Sequence, residues 1–236
     1  MTTIGLIGGL SWYSTAEYYR VINERVQAER GGHASASIAL QSLDFAQVRA
    51  QQESGDWAGA GRVLAEAGRR CEAAGAEVVL ICSNLMHRVA DDVEAALGVP
   101  LLRITDAVAD RARAEGWERL GVLGARWVME EDFYVGRLAA RGLEVAVPDA
   151  EARTTVDRVV FEELTQGRVE ASSREAYGAV VADLADRGAQ AVVLGCTEIE
   201  LLMRGTSPAV PLLDSMRAHA EAAAAIALHG TPAHAW

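Results

Sequence analysis

The chain contains no lysine: all 22 of its basic residues are arginine. A lysine Schiff base is therefore impossible, which removes the usual pyridoxal-phosphate enzymes and the Schiff-base aldolases. The phosphate loop of the common nucleotide hydrolases also needs a lysine, so that class is excluded too. Cysteine is almost as scarce. Cys71, Cys82 and Cys196 form no CxxC pair and no zinc spacing. Such an odd, sparse set fits a reducing compartment better than a disulfide scaffold, so a cytoplasmic protein is expected. No stretch reaches about 18 consecutive apolar residues free of charge, so no transmembrane helix is expected. The opening residues, Met1-Thr2-Thr3-Ile4-Gly5, lack a charged region followed by a long apolar stretch, so no signal peptide is expected. Positive charge is also in deficit. The 33 acidic residues leave a net charge of −11, which argues against nucleic-acid partners and anionic membrane surfaces. His33, His229 and His234 show no ligand spacing, so no metal is expected; His234 falls in a terminal stretch expected to fray. Gly8-Gly9 alone is too weak a phosphate-loop signal to support nucleotide binding.

What the chain does have is apolar material: half of its 236 residues are hydrophobic, ample for a core. Short apolar runs alternate with longer amphipathic segments rich in Ala, Glu and Arg. The runs predict strands at Ile4–Ile7, Ala36–Gln41, Val78–Ile81, Leu120–Leu123, Glu144–Val147, Ala191–Leu194 and Pro211–Leu213. The segments predict helices at Ser14–Arg30, Trp57–Ala74, Met86–Leu97, Ala107–Glu115, Met129–Arg141, Thr154–Gln166, Ser172–Asp186 and Ser215–His229. This alternation reads as an α/β fold with parallel sheets covered by helices.

The chain also repeats itself. Ile4-Gly5-Leu6-Ile7-Gly8-Gly9 matches Leu120-Gly121-Val122-Leu123-Gly124-Ala125 at an offset of 116. The run from Gly75 to Ile81 matches that from Gly188 to Leu194 at 113, and Val99-Pro100-Leu101-Leu102 matches Val210-Pro211-Leu212-Leu213 at 111. Three matches in one order at slowly drifting offsets predict two similar α/β halves, about 1–115 and 116–210. The final helix, about 215–229, is expected to cross back to the first half. A pseudo-twofold would set equivalent strand ends opposite each other across a cleft, where open α/β sheets bind ligands.

Extending the second match by three residues lays Ile81-Cys82-Ser83-Asn84 over Leu194-Gly195-Cys196-Thr197. Strand side chains alternate in direction, so Cys82 and Ser83 cannot both face the cleft. Ser83 and Cys196 are the expected facing pair. Each sits where a strand gives way to a helix, and backbone N–H groups there hold anions and lower a thiol pKa. Two proton-transfer groups on opposite faces of one bound carboxylate are what stereoinversion requires. The competing reading of Cys196 is a small buried filler. Asn84, Thr197 and the amides following Ser83 and Cys196 are suitably placed to stabilise a carbanion-like carboxylate. Ser11 is a candidate carboxylate donor or a helix N-cap. For Glu198, capping its helix or staying solvated at the helix end ranks ahead of catalysis. His87 is read as a helix-start residue or a contact at the site edge, and Cys71 as helix packing.

Several stretches together resemble the aspartate/glutamate racemase superfamily of cofactor-independent amino-acid racemases. They begin with Ile4–Trp12, Ser14-Thr15 and Tyr18-Tyr19-Arg20, and continue with Ser42-Leu43-Asp44-Phe45, Gly55-Asp56-Trp57 and Cys82–His87. Further along come Met129–Tyr134, Phe161–Leu164, Leu194–Ile199 and His219-Ala220-Glu221. The likeness is greatest to the enterobacterial subgroup of acidic or broad-specificity racemases. It implies two α/β halves around a cleft and no cofactor. It also places Ser83 where most members carry the first catalytic cysteine and this subgroup carries threonine. Leu85 stands for a threonine that helps hold the substrate carboxylate, Ala125 and Val128 for two further threonines, and Phe45 near an arginine of aspartate-specific members. Gln52 matches a polar substrate-contact position of the subgroup.

The expected function is therefore racemisation or epimerisation of an amino acid, acidic or broader in type, by Cys196 and Ser83. Ser11, Gln52, Asn84, Leu85, Ala125 and Thr197 are the expected substrate contacts, and a homodimer is the expected assembly. The alternatives are a one-base member, such as a malonate-type decarboxylase or a cis-trans isomerase, and a catalytically weak amino-acid-binding homologue.

Overall fold

Ile4–Gly8 and Val78–Ile81 are too short for stable helices, and every residue in them is buried. That is the pattern of strands covered on both faces, which parallel sheets require. The computed structural model describes residues 1–230, so His234 lies outside the described residues. Its contacts divide the chain into two units, Met1–Ile104 with the residues from His219 onward, and Thr105–Ala218.

In the first unit β1 (Ile4–Gly8), β2 (Ile38–Ser42), β3 (Val78–Ile81) and β4 (Leu101–Leu102) form a parallel sheet in the order β2-β1-β3-β4. Around it run α1 (Trp12–Arg30), α2 (Phe45–Ser54), α3 (Trp57–Ala73) and, after a 3₁₀ turn at Leu85–Val89, α4 (Ala90–Ala95). Ile7, Val79 and Ile81 pack with Leu64, Cys71 and Val93 in one core. Each such side chain contributes about 1.5–3 kcal/mol on leaving water. Cys71 lies wholly inside that core.

In the second unit α5 (Ile104–Ala114) precedes β5 (Arg119–Gly124), α6 (Arg126–Glu130), α7 (Val135–Ala140) and β6 (Glu144–Ala146). Then follow α8 (Ala150–Glu162), α9 (Ala171–Asp186), β7 (Ala191–Gly195), α10 (Thr197–Met203) and β8 (Leu212–Asp214). The sheet order is β6-β5-β7-β8, again parallel, so the sequence repeat is a repeat of topology. Helix α5 is tied to this unit by Asp106, whose buried carboxylate accepts from Arg137 Nε at 3.1 Å and Nη2 at 2.8 Å. Finally α11 (Ser215–His229) leaves β8 and, from His219, joins the first unit, where the Thr2 amide donates to Ala227 O at 3.1 Å.

Some elements differ from expectation. The helix expected over Met129–Arg141 is broken at Glu131–Tyr134, where the fully buried Tyr134 side chain bonds Ser215 and takes precedence over helix continuity. Helices α2 and α10 lie outside the predicted helices. Leu101–Leu102, part of a repeat match, is a strand.

The turn between β1 and α1 is built on glycine. Gly9 has φ 77°, and a Cβ there would stand 2.1 Å from Leu43 O and 2.4 Å from Leu43 N. The Gly9 amide donates to Thr15 Oγ1 at 2.9 Å, and the Leu43 amide to Gly8 O at 3.0 Å, so the two turns lock together. Gly55 shares the left-handed backbone (φ 75°) but nothing crowds it. Gly55→Ala should therefore cost about 1 kcal/mol, and Gly9→Ala about 3 kcal/mol or more because the Leu43 peptide must shift. Urea midpoints at constant slope measure both; equal losses would refute the close packing at Gly9.

Candidate active site

The candidate site residue of the second unit is set by the end of β7. Gly124 pairs with Gly195, and a Cβ on Gly195 would meet Leu123 O at 2.9 Å and Val128 Cγ1 at 3.0 Å. The strand end is thus packed too tightly for any side chain there, and the first one free to project is Cys196. Its extended backbone makes it the N-cap of α10. Nearby, Ser215 Oγ donates to Leu194 O at 2.7 Å and fixes the strand end from the neighbouring strand.

Cys196 is half-buried against the core of its unit. Its Sγ donates to Glu198 Oε2 at 3.0 Å, and Thr197 Oγ1 donates to the same oxygen at 2.7 Å. The backbone amides of Glu198 and Ile199 also point at the sulfur. Those amides favour the thiolate, as expected for a helix start. They are outweighed: burial first, and then the Glu198 carboxylate, push the thiol well above its ordinary range. In this state Cys196 is a neutral thiol with a carboxylate placed to receive its proton. Glu198, expected to cap its helix or stay in solvent, instead turns back onto the thiol. The signal was an acid in the first turn past an extended N-cap, one position short of the spacing of reciprocal capping pairs.

In the first unit β1 and β3 pair Ile7 with Ile81, as β5 and β7 pair Leu123 with Leu194. Two residues beyond each match stand Ser83 and Cys196, in corresponding positions of the two sheets. Cys82 continues the ladder through its amide to Ile7 O at 3.0 Å, and its thiol is buried and pushed far up by desolvation. At Ser83 the chain turns: its amide donates to Ile81 O at 2.8 Å, and its Oγ accepts from the Met86 amide at 3.3 Å.

The other candidates are gathered at the carboxyl ends of neighbouring strands in each unit. Beyond β3, Asn84 is buried and Leu85, half-buried, opens the 3₁₀ turn. Beyond β1, Ser11 caps α1, its Oγ accepting from the Ser14 amide at 3.5 Å. Gln52 is buried on α2; its Nε2 donates to Met86 Sδ at 3.0 Å and its Oε1 accepts from Arg49 at 3.2 Å. It therefore braces the segment that holds Ser83. Beyond β5, Ala125 is the N-cap of α6 and offers no side-chain cap, so the Val128 amide turns to Ala125 O at 2.8 Å. Thr197 opens α10 and orients Glu198. Among the described residues no cluster of His, Cys, Asp or Glu is arranged to hold a metal ion. No described helix is long and apolar enough to cross a membrane.

Known proteins share this architecture. A crystallised Yersinia pestis protein classed with the Asp/Glu racemases is 46% identical over 97% of this chain and all of its own, with a TM-score of 0.92. An aspartate racemase homologue from Pyrococcus horikoshii is 31% identical with a TM-score of 0.82, over 97% of this chain and 100% of its own. Glutamate racemase from Francisella tularensis, crystallised with D-glutamate, shares the fold at 14% identity and a TM-score of 0.57, over 95% and 81% of the two chains. The family model described as Asp/Glu/Hydantoin racemase matches residues 7–223, and the chain therefore belongs to that family.

Proposed function

We propose that this protein is a cofactor-independent amino-acid racemase or epimerase in which Cys196 and Ser83 serve opposite faces of the substrate α-carbon. The observation that carries this reading is the pairing of Cys196 with an acceptor carboxylate, at the sheet position that Ser83 occupies in the other unit. An amino-acid α-proton is very weakly acidic, and with no lysine there is no imine to take up the electrons. The site's own residues must carry the load. Glu198 receives the Cys196 proton, and the resulting thiolate takes the α-proton. The amides of Glu198 and Ile199 hold the sulfur's charge, and backbone donors beside Asn84 and Thr197 hold the charge developing on the carboxylate. Ser83, whose oxygen already accepts from the Met86 amide, keeps its own proton to return on the other face. The substrate is an amino acid, acidic or broader in type, and the apolar Phe45, Leu85 and Ala125 favour the broader range. A cytoplasmic homodimer is part of the proposal.

A specific observation supports a second reading. Cys196 has a carboxylate beside it, whereas Ser83 is bonded to a backbone donor. A one-base reaction, such as decarboxylation of a malonate followed by protonation on one face, needs only Cys196. Racemisation incorporates solvent deuterium without loss of carbon dioxide, whereas the decarboxylase takes up deuterium only as carbon dioxide leaves.

Cys196→Ala should lower turnover by at least about a thousandfold, within the range for loss of a proton-transfer group, while the protein still folds. Cys82→Ala should spare the chemistry. Ser83→Ala should keep α-proton exchange in deuterated water for the enantiomer that faces Cys196 and abolish inversion. Ser83→Cys should raise inversion and bring the two exchange rates closer. Mass spectrometry on each separate enantiomer reads these outcomes, and full activity of Cys196→Ala would overturn the assignment.

The raised thiol has its own signature. Alkylation of native protein by iodoacetamide should occur at Cys196 before Cys71 and Cys82, and its rate should still be rising with pH above about 8.5, the ordinary thiol pKa. Glu198→Gln removes the negative charge that helps hold the thiol up and leaves only a neutral amide oxygen to accept from it. It should shift that rise to lower pH and speed alkylation at pH 7.5, yet slow turnover. An unchanged alkylation profile would show that the carboxylate does not govern the thiol.

A further inference from the structure

We infer that His87 is a positioning residue whose Nδ1–H sets the conformation of the Ser83 turn and, through it, proton transfer at the Ser83 face; this rests on the racemase reading above.

His87 is 3% exposed, so its ring nitrogens must find partners inside the protein. Nε2 lies 2.9 Å from the Ile104 amide, which can only donate, so Nε2 is an acceptor and carries no proton. The proton is on Nδ1, 2.7 Å from the carbonyl oxygen of Ser83, to which it donates. The ring thus joins the Ser83 carbonyl to Ile104, two residues past β4.

This bond determines the local backbone. In an α-helix the His87 amide would donate to the carbonyl four residues back, that of Ser83. The His87 side chain holds that carbonyl instead, and the His87 amide donates to Asn84 O at 3.1 Å. The segment is consequently a 3₁₀ turn over Leu85–Val89, with Ser83 outside it. Its hydroxyl is then free to accept from the Met86 amide at 3.3 Å. An α-helical start would draw the Ser83 carbonyl into the helix and rotate the hydroxyl with it.

The ring is itself held. It meets His219 edge-on at 5.7 Å, and His219 Nε2 donates to Leu102 O at 2.9 Å while its Nδ1 accepts from Tyr18 Oη at 2.8 Å. Leu102 and Ile104 flank the same strand end, so both histidines fasten to the close of β4. The second unit braces its site strand from the corresponding place with one hydroxyl, Ser215. The register of β3 with β4 and of β7 with β8 puts Ile104 where Ser215 stands, and isoleucine has no hydroxyl to offer. His87 ties the first unit elsewhere, at the Ser83 carbonyl, two residues past the counterpart of Leu194 O.

Two substitutions separate the bonds. In His87→Asn the amide nitrogen replaces Nδ1 and keeps the donor to Ser83 O. In His87→Gln the amide oxygen reaches the Nε2 position and keeps the acceptor for Ile104, without that donor. Enantiomer-resolved exchange in deuterated water is measured for both beside Ser83→Ala. His87→Gln should lose roughly tenfold to a hundredfold at the Ser83 face, as for a slight misplacement of a reacting group, with exchange at the Cys196 face within about twofold of wild type. His87→Asn should recover most of the loss. Equal losses on both faces, no loss in His87→Gln, or identical behaviour of the two variants would overturn the inference. If Ser83→Ala itself inverts substrate normally, the role given to Ser83 falls. If Ser83→Ala fails to invert and His87→Gln inverts freely, only the inference falls. Should either His87 variant not fold, long-range proton–nitrogen correlation on the wild type decides: a proton on Nδ1 alone is expected, and one on Nε2 at neutral pH refutes it.

Discussion

Parallel pairing of two central strands in each unit, β1 with β3 and β5 with β7, is the constraint on which the rest depends. Parallel strands need crossovers, so each is followed by a helix, and both sheet faces are covered. All the turns that follow the strands therefore gather at one edge of each sheet. With Ile7 fixed against Ile81 and Leu123 against Leu194, the residues two places on are fixed as well. Neither Ser83 nor Cys196 needs a dedicated scaffold, because each inherits its position from a ladder of backbone bonds buried in its unit's core.

That ladder is why so much could be read from sequence. Fully buried strands appear as unbroken apolar runs, and the repeat, extended past Ile81 and Leu194, aligned Ser83 with Cys196 rather than Cys82 with it. What escaped detection depends on side chains that fold back on their own turn. Glu198 is an acidic residue at a helix start, where solvent is the ordinary expectation; its return to Cys196 follows from the extended backbone at the N-cap, which composition does not reveal. The break at Glu131–Tyr134 has a similar origin, since the burial of Tyr134 overrides a helical pattern that is locally sound. His87 stands at helical spacing and converts its own helix start to a 3₁₀ turn by occupying the carbonyl the helix would use.

The two residues proposed for the site are chemically unequal, and thermodynamics limits what that inequality can do in a racemase. Enantiomers have equal free energy, so kcat/KM must match in the two directions however different serine and cysteine are. The difference can reside only in how each enantiomer's KM and kcat are divided, or in a reaction whose products are not mirror images. A thiol held neutral by burial and by Glu198 fits an enzyme that forms its base only once substrate has displaced water.

The path of α11 has a consequence for biosynthesis. Thr105–Ala218 is one unbroken stretch, whereas the other unit is interrupted, its first 104 residues waiting for the helix that begins its return at His219. A ribosome extrudes the chain from the N-terminus, so the stretch made later has all its parts before the one made first. Until His219 emerges, Tyr18 Oη and Leu102 O lack the imidazole they share in the native protein. The older part of the nascent chain must stay incomplete while the younger part can already close.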